Sequence, residues 1–344
     1  MKKIKYLLFC IPLFILSSCG NTIVPVDSIR DISYDSFSIS EDNRDNALKS
    51  CVSLSDGKSN YNFSGIVIDE SLLYYYIATY GAELTSGYIK LSKATLYDGT
   101  SVNATYVGTD SKNNIAVYKI LKTKELKVAQ GSTDELVKGS NVMSISTPLS
   151  SDETTVNTIK TGIVSNISLG VFGTSCELSY AELGSAIFNT DGKLLGMTTS
   201  VISTSKTSES FDDLLYYHVT GLNQSTTYEL LYNISNDIIE ANSDIKRGLM
   251  GVTVTNYETA SVAYSDLINE SDIPYVTIIA VSENSSAALA NIKAGYYITK
   301  IDGNTVSRLT DLNYYMARKN KGDIVKLTCL NELFQEIEYR LILK

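Results

Sequence analysis

The stretch Tyr180-Ala-Glu-Leu-Gly-Ser-Ala-Ile-Phe-Asn-Thr-Asp-Gly-Lys-Leu-Leu-Gly-Met197 constrains the fold more than any other part of the chain. It opens with a tight turn and enters an apolar strand at Ile187-Phe188. It reverses through Asn189-Thr190-Asp191-Gly192 and returns as Leu194-Leu195-Gly196-Met197. Asn, Asp and Gly tolerate the positive φ that a short hairpin turn demands, so this segment is committed to antiparallel β structure. From about Cys51 to Thr220 the same grammar repeats: short apolar or alternating runs broken by Gly, Asn, Asp and Ser. That pattern predicts an all-β region. Strands are expected at Ser64–Ile68, Tyr74–Thr79, Ala94–Tyr97, Ala104–Val107, Ile115–Ile120 and Asn141–Ile145. Four more are expected at Thr158–Ser165, Ala186–Asn189, Lys193–Thr198 and Leu215–Thr220. Beyond them, Leu230, Leu231, Ile234, Ile238 and Ile239 fall at helical spacing and predict a helix over Thr226–Asn242.

Several motifs within the β region resemble those of the HtrA (DegP/DegS-like) family of trypsin-like serine proteases. Ser64-Gly65-Ile66-Val67-Ile68 followed by Tyr75-Tyr-Ile-Ala-Thr-Tyr-Gly-Ala82 resembles the histidine motif. Gly108-Thr-Asp-Ser-Lys-Asn-Asn-Ile-Ala-Val-Tyr-Lys119 resembles the aspartate motif, and Tyr180–Met197 the serine segment. Lys138–Pro148 and Gly162-Ile-Val-Ser165 add two further matches. The resemblance implies two six-stranded barrels. It also sets Ala82, Asn114 and Leu183 where the family carries His, Asp and Ser. Leucine has no proton to give up and no lone pair with which to attack, so acyl transfer cannot begin at that position. The oxyanion turn is altered as well. Ala181 stands where a glycine is expected, and the Glu182 carboxylate beside it would repel a developing negative charge.

Two residues offer a relocated site. Ser185 lies two positions past Leu183, and His218, the single histidine of the chain, lies in Leu214–Val219. The register places Ser185 on the strand rather than at the turn, as a small residue in place of a glycine. A strand histidine is commonly a packing or surface group.

From Ile245 onward the chain resembles a PDZ domain. Arg247-Gly-Leu-Met-Gly-Val252 is similar to a carboxylate-binding loop and the start of its strand. Ser285–Gly303 is similar to the Ser-Pro-Ala-Ala-x-Ala-Gly-Leu segment and its continuation, with Asn291 and Tyr296 departing from Gly and Asp. The resemblance implies that a peptide adds as a strand beside Gly251–Val254. Its terminal carboxylate would sit on the N–H groups of Leu249, Met250 and Gly251, next to Val252. A helix starting at Thr310-Asp311 would present Leu312, Tyr315 and Met316 as the opposite wall.

The N-terminus carries a third signature. Met1-Lys-Lys-Ile-Lys5 is positively charged, Tyr6–Leu16 is apolar, and Leu16-Ser17-Ser18-Cys19 resembles a bacterial lipobox. The expectation is cleavage before Cys19 and lipidation there, which anchors the chain on the extracytoplasmic face of the membrane. The domain plan is then 1–19 signal, 20–47 polar tether, 48–225 double barrel, 226–244 linker helix and 245–344 PDZ.

Loss of Lys2, Lys3 and Lys5 with the signal takes the net charge from −9 to −12. An acidic surface argues against nucleic acid as a partner. After Cys10 and Cys19, the cysteines Cys51, Cys176 and Cys329 are odd in number and lack Cys-x-x-Cys spacing. They read as buried free thiols, with a Cys51–Cys176 bridge as the lesser alternative, and no metal or cofactor is implied. The function expected first is binding of peptides or protein C-termini at the cell envelope. A protease built on Ser185 and His218, and a scaffold within a homo-oligomer, are the other two classes.

Overall fold

The computed structural model describes residues 38–57, 62–81, 90–146, 157–179, 182–201, 223–256 and 276–344. It begins with helix α1, Glu41–Lys49, capped by the Ser40 hydroxyl accepting from the Asn43 N–H. Strands β1 (Cys51–Ser55), β2 (Asn62–Glu70), β3 (Tyr74–Tyr80), β4 (Lys93–Thr95), β5 (Ser101–Asp110) and β6 (Ile115–Leu121) follow. They close into a barrel in the order β1-β2-β3-β6-β5-β4. Strands β7 (Asn141–Ser146), β8 (Thr158–Ser168), β9 (Val171–Thr174), β10 (Ala186–Phe188), β11 (Leu194–Val201) and β12 (Asn223–Thr227) form a second barrel, β10-β11-β12-β9-β8-β7. The two six-stranded barrels and the mainly β class agree with the sequence reading.

Period-2 alternation explains how the barrels both fill and join. Along β2, Val67 points into the first barrel with Ile77, Ala116 and Tyr118. Its neighbours Ile66 and Ile68 point the other way, into a shared core with Met143, Ile145, Phe188 and Met197 of the second barrel. These strands are apolar on both faces because both faces are buried. At roughly 25 cal/mol per Å² of apolar surface removed from water, burial on both faces of these strands stabilises the barrels and their junction together.

Helix α2, Tyr228–Ala241, packs Leu231, Ile234 and Ile238 onto that shared core. It starts two residues later than expected because Thr226 and Thr227 are still paired in β12. It ends at Asn242 in the left-handed region, φ 47°.

The C-terminal part contains β13 (Val252–Asn256), β14 (Val276–Val281), helix α3 (Ser286–Leu289), β15 (Tyr297–Ile301) and β16 (Asn304–Thr305). Helix α4 (Leu309–Met316), β17 (Ile324–Leu330) and β18 (Glu336–Ile342) complete it. The sheet order β13-β14-β15-β17-β18 leaves β13 at an edge. Asn291, in the place of a motif glycine, has φ 60°, a conformation asparagine supplies at low cost, and Tyr296 is buried in the sheet's core.

Several expectations need correction. Residues 41–47 are not tether: α1 buries Ala47 in the shared core, and a Cβ on Gly192 would lie 2.9 Å from the Asn43 carbonyl oxygen. The polar sequence of α1 hid one buried face. Strands β1, β9 and β12 were not anticipated, and β4 is Lys93–Thr95 rather than Ala94–Tyr97. The expected strand Leu215–Thr220 lies outside the described residues. Cys51, Cys176 and Cys329 are free and buried, which removes the Cys51–Cys176 bridge. Burial pushes the Cys51 and Cys329 thiols up to about 12, so they stay protonated and inert.

Candidate functional site

The β5–β6 turn carries Asn114 at φ 55°, again a conformation suited to asparagine. Its carbonyl accepts from the Gly81 N–H at 2.8 Å, so the end of β3 and this turn meet. Ala82 itself, like His218 and Cys19, lies outside the described residues.

Leu183 is 1% exposed. It comes from the second barrel's turn yet packs in the first barrel's core with Phe63, Ile77, Tyr80 and Ala116. The adjoining Gly184 has φ 86°, and a Cβ there would lie 2.3 Å from the Ser64 carbonyl oxygen. Only glycine lets the turn press this closely against β2. Gly184 N–H donates to the Thr198 carbonyl at 2.9 Å, which ties the turn to β11.

Ser185 is 0% exposed, and its hydroxyl donates to the Glu182 carbonyl. It is therefore a buried packing residue of the turn, with no open approach for a substrate carbonyl.

Glu182 was expected to disturb an oxyanion site. Its side chain instead points into the protein and is 2% exposed. The carboxylate accepts from Ser146 Oγ at 2.8 Å, Ser179 N at 2.8 Å, Ser179 Oγ at 2.9 Å and Lys160 Nζ at 2.8 Å. A buried carboxylate requires such donors, since burying it alone is prohibitively costly. Lys160 and Ser146 were not identified from sequence. The available signal was a lone lysine in the β8 pattern, able to meet a buried acid one strand away.

Burial alone would raise the Glu182 pKa, but the hydrogen bonds from Lys160, Ser179 and Ser146 outweigh it and hold the carboxyl below its ordinary 4.5. A depressed carboxyl pKa contributes stability above the unfolded value and loses it as pH falls through the folded value. Stability is therefore expected to decline as pH drops below about 4.5, and Glu182→Gln should flatten part of that decline. Urea midpoints across this range, measured on both proteins, check it. Parallel curves would remove Glu182 from the account.

Six of the seven residues expected to bind peptide, all but Gly251, divide into two groups. Met250, Leu312 and Met316 are buried in the C-terminal core. Leu249 is 59% exposed, while Val252 and Tyr315 are partly exposed and pack against that core. Helix α4 packs against β13, the edge strand of the sheet.

The expected row of three free donors is reduced to two. The Leu249 N–H donates to the Lys344 carbonyl at 2.9 Å, whereas those of Met250 and Gly251 meet no acceptor among the described residues. Gly251 has φ 77°, and a Cβ there would lie 2.1 Å from Ser285 Cβ. A side chain at 251 would thus strain the packing of α3 as well as the loop.

Arg247 and the end of α4 are tied to the barrels and α2 through a buried ionic cluster. Arg247 Nε meets Asp110 Oδ2 at 2.6 Å with side chains 2% and 0% exposed, and Nη2 meets Asp237 of α2 at 2.7 Å. Asn113 Nδ2 bridges Asp110 at 2.8 Å and the Ala317 carbonyl at 2.9 Å. Lys112 Nζ donates to the Met316 carbonyl at 2.8 Å. The turn bearing Asn114 is thereby fastened to the C-terminal end of α4.

Residues 63–197 match the trypsin-like peptidase domain, and residues 248–332 match the PDZ domain. In both domains and in their order the chain is similar to the HtrA family. It is 29% identical over 246 residues to the serine protease Do-like HtrA of Lactobacillus helveticus, covering 68% of this chain and 57% of that protein. It is 26% identical over 287 residues to the periplasmic serine endoprotease DegP of Salmonella typhimurium, covering 78% and 54%. The chain thus spans little more than half the length of these curated HtrA relatives. Among solved structures, the HtrA-type protease AlgW with tripeptide shares the fold at a TM-score of 0.64 and 22% identity, covering 88% of this chain and 95% of that one. The serine endoprotease from Yersinia pestis does so at 0.61 and 19%, covering 88% and 96%.

Proposed function

We propose that this HtrA-family chain has lost acyl-transfer chemistry and acts as a peptide-binding module at the bacterial cell envelope. Leu183, at the aligned nucleophile position, is packed into the first barrel's core, and this observation carries the reading. Asn114 at the aligned acid position and Ala82 at the aligned base position support it. Against the relocated-site alternative, Ser185 is enclosed and its hydroxyl donates to a backbone carbonyl. The lipobox-like Leu16–Cys19 supports a lipid anchor at Cys19 on the extracytoplasmic face.

Binding would use the edge of β13. A peptide adds there as an antiparallel strand, and its C-terminal carboxylate accepts from Met250 and Gly251. Leu249 and Tyr315 flank the entrance. That AlgW, of the same fold, is found with a tripeptide and with a decapeptide supports peptides as the ligand class.

A carboxylate is acceptor-only, and desolvating it without donors is costly. A peptide with a free, apolar C-terminus should therefore bind the full chain, and its C-terminally amidated form should bind about ten-fold or more weaker, the scale of losing a charge-assisted hydrogen bond. Titration of both forms by fluorescence anisotropy tests this. Equal affinity for acid and amide would overturn the groove assignment.

A further inference from the structure

A second concavity lies away from both the Leu183 turn and the β13 edge. It is a cleft of about 660 Å³ between the second barrel, α2 and α4. Leu136 and Leu195 line it from the barrel, and Tyr228, Tyr232 and Tyr314 from the two helices. Tyr314 reaches it because Gly170 has no side chain: a Cβ there would lie 2.4 Å from the Tyr314 ring. Tyr228 and Tyr232 lie with ring centroids 5.8 Å apart.

Three carboxylates share the lining: Asp134, Glu135 and Glu229. None of them has an ion-pair partner among the described residues, and no lysine or arginine lines the cleft. The Tyr314 phenol is pushed up by burial and then by the Glu229 carboxylate, so it stays neutral beside that negative charge.

Aromatic faces and unpaired carboxylates make complementary demands on an occupant. The ring faces attract a cation that has shed part of its water. The carboxylates require positive charge, and the leucines require aliphatic length. A lysine or arginine side chain meets all three, with an apolar stem for the floor and a charged head for the rim. The cleft also continues into a second hollow of about 320 Å³ that shares Asp134, Glu135, Leu136 and Leu195. That continuity suits an extended chain better than a single small amine.

We propose that this cleft binds a basic stretch of polypeptide through its lysine or arginine side chains, independently of the β13 groove. The probe is an acetylated and amidated peptide with three lysines spaced by Gly and Ser, a form that gives the carboxylate loop nothing to hold. Its affinity for the full chain is measured by fluorescence anisotropy at low salt, beside a counterpart carrying glutamine for lysine.

The lysine peptide should bind at least about ten-fold tighter, and added salt should weaken it by screening. The combined variant Asp134→Asn, Glu135→Gln and Glu229→Gln should abolish the difference. These are exposed side chains, and an unchanged thermal unfolding curve confirms that the variant folds. Tyr232→Leu keeps apolar area but removes the ring face, and should cost roughly two- to five-fold. That loss separates a built cleft from a generally acidic surface, where single ion pairs change affinity at most about five-fold. Equal binding of the glutamine peptide, an unaffected triple variant, or no effect of Tyr232→Leu would overturn the proposal. So would spermidine displacing the peptide at equal concentration, since the occupant would then be a free polyamine. The amide ends keep these outcomes independent of the β13 reading.

Discussion

Arg247→Met is expected to destabilise the chain by about 3–5 kcal/mol, the cost of breaking a buried ion pair from one side. Asp110 is fully buried, and Arg247 is its salt-bridge partner at 2.6 Å, with Lys112 as a second positive charge nearby. Without the guanidinium, Asp110 keeps the N–H and side-chain amide of Asn113 as donors and the Lys112 charge nearby. The substitution also releases Asp237, Asn320 Oδ1 and the Arg318 carbonyl, which Arg247 holds at 2.7, 3.0 and 3.2 Å. Urea unfolding measures the loss. The double variant Arg247→Met, Asp110→Leu should recover much of it, because the uncompensated charge is then gone. A single-variant loss below about 1 kcal/mol would place the cluster with ordinary surface ion pairs and contradict its role in fastening the PDZ domain to the barrels.

The second large effect is expected at Leu183. Leu183→Ser restores a hydroxyl to the aligned nucleophile position, yet it should cost about 3–5 kcal/mol through lost packing and a buried polar group. Leu183 belongs to the first barrel's apolar core with Phe63, Ile77, Tyr80 and Ala116. No peptide hydrolysis is expected. Adding Ala82→His and Asn114→Asp should still not restore full activity, since Glu182 ties the preceding turn to Ser146, Ser179 and Lys160. Vigorous hydrolysis by the triple variant would mean that the turn remains preorganised for catalysis.

Much of this was legible in sequence because it rests on local chemistry. The Asn189–Gly192 hairpin, the two-faced apolar strands and the spacing of α2 each follow from short-range rules, and the structure agrees with them. Asn114 and Asn291 both take positive φ, which explains why asparagine is accepted at those two motif positions. What was not legible depends on partners distant in sequence. Nothing near Glu182 announces Lys160, 22 residues away, or Ser146, 36 away. The polar composition of α1 gave no sign of its single buried alanine. The groove donors were misjudged for the same reason, because Leu249 pairs with Lys344 at the far end of the chain. Met250, Leu312 and Met316 fit a binding wall and a core equally well by spacing, and burial decides for the core.

The central claim, an HtrA fold without its chemistry, is tested most directly by a serine-directed fluorophosphonate probe on the full chain. An activated serine reacts with it irreversibly whatever the protein's preferred substrate, so the result does not depend on guessing a ligand. The account predicts no covalent adduct by intact mass. Stoichiometric labelling that disappears in Ser185→Ala and in His218→Ala would contradict it and establish a relocated catalytic site.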